Sequence, residues 1–400
     1  MRKNTIAKIP LFFSLWLLLR LATSVFAAWV SSIRPITALE KQIAIWPPSA
    51  DIGLWLNRVF LAPWLRWDGV WYVQLLTVGY VAGDGSTSFH PLDIWLSQPL
   101  YALGFNPLFS LLVTSSLACL GLFWIFYKLA CFDLSPSQSR LALVLMATFP
   151  VSIILFAPYT ESLFLFFATW ALYQMRQRHW FLAALATCLA SLTRQQGVFL
   201  MFPMLWYAWE DSGKSLKGLA GAWRGWLAAC SAPLGLVIWA VYRIYYLHEG
   251  TLDITNLQGF IYSALLSPSA KEIIDTQEMT WPWTAFMIAL PKLLHGPEIG
   301  DIMTLGLGVG FVILFAIAWK YLSPAYRIYT LVIVLVSFCM STGPYRIYLS
   351  LARHVFIAVP VFIGLAAALK QRWQQILLIG VQVLLGIFML VLYVAKVWIP

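Results

Sequence analysis

The segment Leu65-Arg66-Trp67-Asp68-Gly69-Val70-Trp71-Tyr72 lies just past the first long apolar run of the chain. A carboxylate between tryptophans is not needed to build an apolar bundle, and an ionisable group in such a setting is costly enough to point to function. Asp68 reads in two ways. It is either the acid that opens the next helix, with Trp67 and Trp71 as interfacial anchors, or a general base. As a base it would take the proton of a sugar-acceptor hydroxyl while that hydroxyl attacks an anomeric carbon. Trp67 and Tyr72 flank it as candidate substrate contacts.

Three further groups have types suited to the same chemistry. Glu161, in Pro158-Tyr159-Thr160-Glu161-Ser162, sits where a helix dipole favours an acid. It is equally placed to position a substrate hydroxyl or to pair with an arginine. Arg194 lies in a polar island, Ser191-Leu192-Thr193-Arg194-Gln195-Gln196-Gly197, between two apolar runs. Its planar fork suits a phosphate or a salt bridge to Glu161. Arg353 and His354 follow Arg346 and two tyrosines near the end of another run. The arginines read as a lipid-phosphate site or as snorkelling side chains. His90, beside Pro91, is a candidate substrate contact or a packed histidine. There is no P-loop, GxGxxG or HExxH motif. The carboxylates could hold Mg²⁺ or Mn²⁺, but no ligand spacing demands a metal.

The elements that must position these residues are membrane-like. The chain has 400 residues, 61% hydrophobic and only 10% charged, with mean hydropathy +0.79. That balance excludes a water-soluble fold and a disordered chain alike. Repeated apolar runs of about 20 residues predict an all-α, polytopic transmembrane helix bundle. We read residues 1–400 as one membrane-embedded domain. About eleven spans are expected, at roughly 9–31, 107–128, 141–157, 160–175, 180–193, 197–209, 225–246, 301–319, 327–342, 354–369 and 374–397. The first, preceded by Arg2, Lys3 and Lys8, reads as a retained signal-anchor. No internal repeat is visible. The five cysteines lie singly and read as small buried hydrophobes.

The net charge of +10 comes from short basic loops, as in Lys128 and Arg140, Arg176 and Arg178, or Lys320 and Arg327. These orient the chain and meet lipid headgroups; they do not suggest nucleic acid. With that face inside, two long segments, about 32–90 and 247–300, fall outside. They carry most loop carboxylates, including Glu40, Asp51, Asp68, Asp253, Glu272 and Asp275. Asp68, Glu161, Arg194 and Arg353 then share the outer side. Within the first segment, Trp67, Trp71, Leu75 and Val78, broadened by Val70 and Leu76, predict a helix lying along the interface.

The ordered set of these motifs resembles the PIG-V family, the second mannosyltransferase of GPI-anchor assembly and its bacterial relatives. The resemblance runs over about residues 10–365. It rests on Arg66-Trp67-Asp68 with Trp71-Tyr72 and Gly79-Tyr80, on Phe89-His90-Pro91-Leu92, on Thr160-Glu161-Ser162-Leu163-Phe164, on Thr193-Arg194-Gln195-Gln196-Gly197, and on Ala352-Arg353-His354 with Pro360. Asp93-Ile94 stands where the family often has Tyr-Pro, and Gln196-Gly197 where it has Asn-Gly. The resemblance implies a GT-C-type hexosyltransferase, most simply a mannosyltransferase. It would move a sugar with inversion from a polyprenyl-phosphate donor to a glycolipid or glycan on the extracytoplasmic or luminal face. The family's first-loop acid matches Asp68, and its glutamate and arginine match Glu161 and Arg194.

Donor, acceptor and membrane lipids are the expected partners. The alternative class is a transporter or lipid flippase, which predicts inverted repeats and charges near span centres. The chain has no Asn-x-Ser/Thr sequon and no ER-retention ending. Both favour a prokaryotic plasma membrane over the ER membrane.

Overall fold

A computed structural model of the protein describes residues 10–33, 59–248, 278–341, 347–348 and 350–397. Glu40, Asp51, Asp253, Glu272, Asp275 and Arg346 lie outside the described residues. The fold is an all-α helical bundle. Its one described pair of strands is short and antiparallel, Glu278–Met279 with Met340–Ser341.

Prolines and small polar caps cut the apolar sequence into helices. Pro107, Pro136, Pro282, Pro324 and Pro360 all open helices, where a missing N–H costs nothing. The Asn106 side chain accepts from the Leu108 and Phe109 amides, and Ser135 forms a capping box with Gln138. Five helices are long and apolar enough to cross a membrane: Leu11–Ile33, Pro107–Ala130, Leu216–Tyr246, Ile299–Tyr321 and Arg372–Val394. A sixth arises if Pro136–Ala147 and Pro150–Phe156, bent by 82° at Pro150, count as one broken span. The expected eleven spans are therefore not reproduced by length and composition among the described residues. The other apolar runs form shorter helices, including Glu161–Arg176, Trp180–Thr193 and Pro324–Cys339.

We label Glu161–Arg176 α1 and Trp180–Thr193 α2. These two form the heart of the bundle, with α1 also packed along Pro107–Ala130. Helix α1 is buried nearly all round, whereas outer helices turn Leu18, Ile313, Leu335 and Leu384 outward. A chain with that surface is at home only in lipid, and it is a multi-pass integral membrane protein.

The helix after Trp67, which we label α3, spans Asp68–Thr77. Its buried face is Gly69, Tyr72, Val73, Leu75 and Leu76, while Val78 is exposed. This corrects the expected face of Trp67, Trp71, Leu75 and Val78. The helix packs into the bundle, and Gly69 sits against Pro158. The cysteines also differ from expectation. Cys119 is buried, but Cys131 and Cys230 are exposed.

Candidate active site

Three local backbone features bring the charged residues together. Trp67 adopts φ 51°, a left-handed conformation that is strained for a large side chain, and it turns the chain abruptly into α3. Asp68 is the first residue of that helix, and no side-chain cap precedes it. The Asp68 carboxylate instead reaches away to Arg353. Tyr348 and Ser350, at φ 48° and 63°, make a comparable left-handed turn into the short helix Leu351–Phe356 that carries Arg353. The third feature is the end of α2. Arg194 leaves it in an extended conformation before the 3-10 turn Gln195–Leu200.

The result is a continuous chain of ion pairs. Asp68 Oδ2 lies 2.8 Å from Arg353 Nη1, and Arg353 Nε lies 3.2 Å from Glu161 Oε1. The same Glu161 oxygen accepts from Arg194 Nη1 at 2.5 Å. The order is thus Asp68, Arg353, Glu161, Arg194. Glu161 has no exposed surface, and the two arginines are nearly covered, but 27% of the Asp68 side chain remains accessible. Asp68 is therefore the one carboxylate of the row with an accessible side chain. Glu161 is the buried counter-ion that aims both guanidinium groups.

Hydroxyls and rings complete the first layer. Arg194 Nη1 also donates to Thr160 Oγ1 at 3.1 Å, and the Tyr72 hydroxyl lies 3.4 Å from the same oxygen. Burial, with the Asp68 and Glu161 charges, holds the Tyr72 phenol above its ordinary range, so it stays protonated. The Arg353 guanidinium sits over the Tyr159 ring at 5.6 Å, and Arg353 Nη2 reaches Ser350 Oγ at 3.4 Å. Trp67 is half-buried and its Nε1 has no hydrogen-bond partner among the described residues. Burial, together with the nearby charges of Arg243 and Arg194, holds the His90 imidazole below its ordinary range. His90 is neutral at pH 7.

The fold thus links Asp68, Tyr72, Glu161, Arg194 and Arg353 through ion pairs and hydrogen bonds, with His90 within reach of the Arg194 field. Sequence reasoning missed Thr160, Tyr159, Ser350 and Asp93 as neighbours. Thr160 and Tyr159 were legible only as flanks of Glu161. Asp93 was masked by its place in the first turn of a helix, where an acid is ordinary.

The residues do not make an ion cage. Among the described residues no three His, Cys, Asp or Glu side chains converge, and two arginines share the Glu161 oxygen. A divalent ion wants several oxygens at once, so we route no step through one. A separate cavity of about 360 Å³ opens at the Pro150 kink, lined by Leu19, Phe26, Phe149, Phe156, Ile387 and Leu390. It is apolar and holds none of these charged groups.

No family model matches the chain, and no curated relative matches it in sequence. Solved structures do. The chain is similar to ArnT from Cupriavidus metallidurans bound to undecaprenyl phosphate, at 12% identity and TM-score 0.46, covering 92% of this chain and 62% of that one. It is also similar to the oligosaccharyltransferase of Archaeoglobus fulgidus in complex with zinc and sulfate, at 13% identity and TM-score 0.45, covering 94% and 53%. A third is the same organism's AglB with an inhibitory peptide and a dolichol-phosphate, at 12% identity and TM-score 0.41, covering 98% and 57%. The chain spans about three fifths or less of the length of these structures, and at such scores the assignment rests on the geometry of the site.

Proposed function

We propose that this protein is an integral membrane glycosyltransferase that moves a sugar, most simply mannose, from a polyprenyl-phosphate donor to an acceptor hydroxyl of a glycolipid or glycan. The observation that carries this reading is the ion-pair chain Asp68, Arg353, Glu161, Arg194, with only its terminal carboxylate open to solvent. A lipid-phosphate donor needs cations where phosphate charge develops and a base where the acceptor loses its proton. The cluster supplies both within one row of contacts.

In this mechanism the acceptor oxygen attacks the anomeric carbon from the face opposite the phosphate. The bond between that carbon and the phosphate oxygen breaks, and its electron pair leaves with the polyprenyl phosphate. The acceptor proton passes to Asp68. Arg353 and Arg194 stabilise the extra negative charge on the leaving phosphate, each held in place beforehand by Glu161. Attack from the opposite face inverts the anomeric centre. Trp67 and Tyr72, beside Asp68 in sequence, serve as substrate contacts.

The test is transfer by the full chain in lipid nanodiscs, with polyprenyl-phosphate-mannose and candidate glycolipids. Wild type should form the mannosylated product. Asp68→Asn should lose about 10²- to 10⁴-fold in kcat, the usual yield of general base catalysis, with an unchanged melting temperature. A folded Asp68→Asn that transfers as fast as wild type would falsify the base assignment. Solute movement without transfer would favour the transporter class.

A further inference from the structure

Asp93 has no place in the mechanism above, yet it is the most unusual acid in the chain. It is fully buried, and neither carboxylate oxygen has a hydrogen-bond partner among the described residues. Although it lies in the first turn of the helix Leu92–Ala102, it caps no backbone amide. Buried polar groups are nearly always paired, because stripping water from them is costly. An unpaired buried carboxyl beside a candidate active site marks a position that a ligand completes.

Its neighbours share the property. The Tyr80 hydroxyl and His90 Nδ1 are also buried without hydrogen-bond partners among the described residues. Ring contacts fix them in place. Tyr80 packs on Trp239 at 4.8 Å and on Tyr242 at 6.5 Å, and Trp95, from the helix of Asp93, reaches Tyr242 at 6.1 Å. Phe89, next to His90, lies against Tyr72 at 5.1 Å. Tyr72 in turn meets Thr160, which accepts from Arg194, so this group of residues borders the ion-pair chain.

We propose that Asp93, Tyr80 and His90 form a subsite that binds the hydroxyls of a carbohydrate ring, adjoining the phosphate-binding arginines. The chemistry of the three groups argues for hydroxyls. A carboxylic acid and a phenol each both donate and accept, and the free Nδ1 of the neutral imidazole accepts, which together is the pattern sugar hydroxyls need. The aromatic walls suit the apolar faces of the ring. Phosphate is matched instead by Arg353 and Arg194. Burial, reinforced by the Glu161 charge, pushes the Asp93 carboxyl up to about 8, so at pH 7 it carries a proton to donate. Glu161, at the start of α1, is the charged group that acts on it, and Tyr80, just past α3, lies within its field; Tyr72 and Tyr242 act on Tyr80, while Arg243 and Arg194 act on His90, which precedes Asp93 by three residues. From Pro107–Ala130 the facing polar group is Thr114, which Ser97 already bonds at 2.8 Å.

This inference rests on the glycosyl-transfer reading, and the experiment separates the two. Full-length wild type, Asp93→Asn and Asp93→Leu are compared in nanodiscs in two assays. One is transfer from polyprenyl-phosphate-mannose between about pH 6 and about pH 9.5. The other is binding of octyl mannoside, followed by tryptophan fluorescence. As Asp93 ionises above about pH 8, wild-type transfer should fall by about tenfold or more, the effect of one lost buried hydrogen bond and one new unpaired charge. Asp93→Asn should be weaker than wild type at pH 7 but lose that alkaline decline. Asp93→Leu should raise the KM for sugar substrates about tenfold or more and weaken octyl mannoside binding equally, with a melting temperature no lower than that of wild type. An alkaline decline that persists in Asp93→Asn, or sugar binding unaltered in Asp93→Leu, would overturn the subsite. Binding that is lost in Asp93→Leu while wild type transfers nothing would keep the subsite and remove the transferase reading.

Discussion

Glu161 is the residue on which the site depends. It is a fully buried carboxylate serving two guanidinium groups, so it is stable only because both are present. Removing its charge leaves Arg353 with Asp68 alone and Arg194 with no carboxylate partner among the described residues. Glu161→Gln should therefore lower stability by about 3–5 kcal/mol and reduce transfer together, read as a melting temperature and a rate on the same sample. Arg353→Lys tests a different property. A guanidinium contacts Asp68 and Glu161 through separate nitrogens, whereas an ammonium is a point charge that cannot keep both. It should retain the fold but lose roughly tenfold or more in kcat. Asp93 adds a stability signature. In the folded state its pKa of about 8 lies above the ordinary carboxyl value of 3.8, so the folded state holds a proton that the unfolded chain releases. Stability is then fully present below about pH 4 and declines by up to about 1.4 kcal/mol per pH unit until about pH 8. Asp93→Asn should flatten that decline in thermal scans taken across the same range. Asp68, Glu161, Arg194 and Arg353 were legible in the sequence as ionisable residues at the ends of apolar runs. Their order of pairing was not, because it depends on the left-handed turns at Trp67, Tyr348 and Ser350. None of those residues is a glycine that would have announced such a turn.

At the scale of elements, the site is the meeting point of α1, the end of α2 and α3. Helix α1 opens with Glu161 after the Pro158 corner, and α2 returns antiparallel to deliver Arg194 beside it. The return depends on close backbone contact after the arginine. A Cβ on Gly197 would sit 2.3 Å from the Ser191 amide nitrogen and 2.5 Å from the Ala190 carbonyl carbon. Both neighbours are backbone and cannot swing aside. Gly197→Ala should push the Gln195–Leu200 turn away from α2 and move Arg194 off Glu161, cutting transfer severalfold or more while the distant helices stay intact. A matched Gly306→Ala, where a Cβ meets nothing within 4 Å, is the control. The existence of the long apolar helices was readable from the sequence, since Pro and small caps mark their starts. The buried face of α3 and the 82° bend at Pro150 were not. In a membrane both the core and the surroundings are apolar, so hydrophobic periodicity loses its power to say which face is inside.

Across the whole molecule, charge is sorted into two layers. At the start of α1 stands the acid–arginine chain; at its end Arg176 pairs with Asp133 at 2.6 Å, and Arg178 pairs with Glu210 and Asp211 at 3.0 Å and 2.6 Å. Sixteen helical residues separate the layers by only about 22–24 Å, less than a hydrocarbon core of about 30 Å. The two charged layers therefore stand closer together than the two faces of a hydrocarbon core. The basic loops, which cluster with Arg176 and Arg178, predict that this end faces the inside. Single cysteines test this directly. Cys131 and Cys230 are exposed, so they are first replaced by serine. In that background Val81→Cys, at an exposed position after α3, should react with a membrane-impermeant maleimide in intact cells. Ser137→Cys, exposed near Asp133, should react only after the membrane is opened. The reverse pattern would put Asp68 and the arginines on the inner face. A donor carrying its sugar on the outer leaflet would then be unable to reach them, and the proposed reaction would have to draw on a sugar presented from inside.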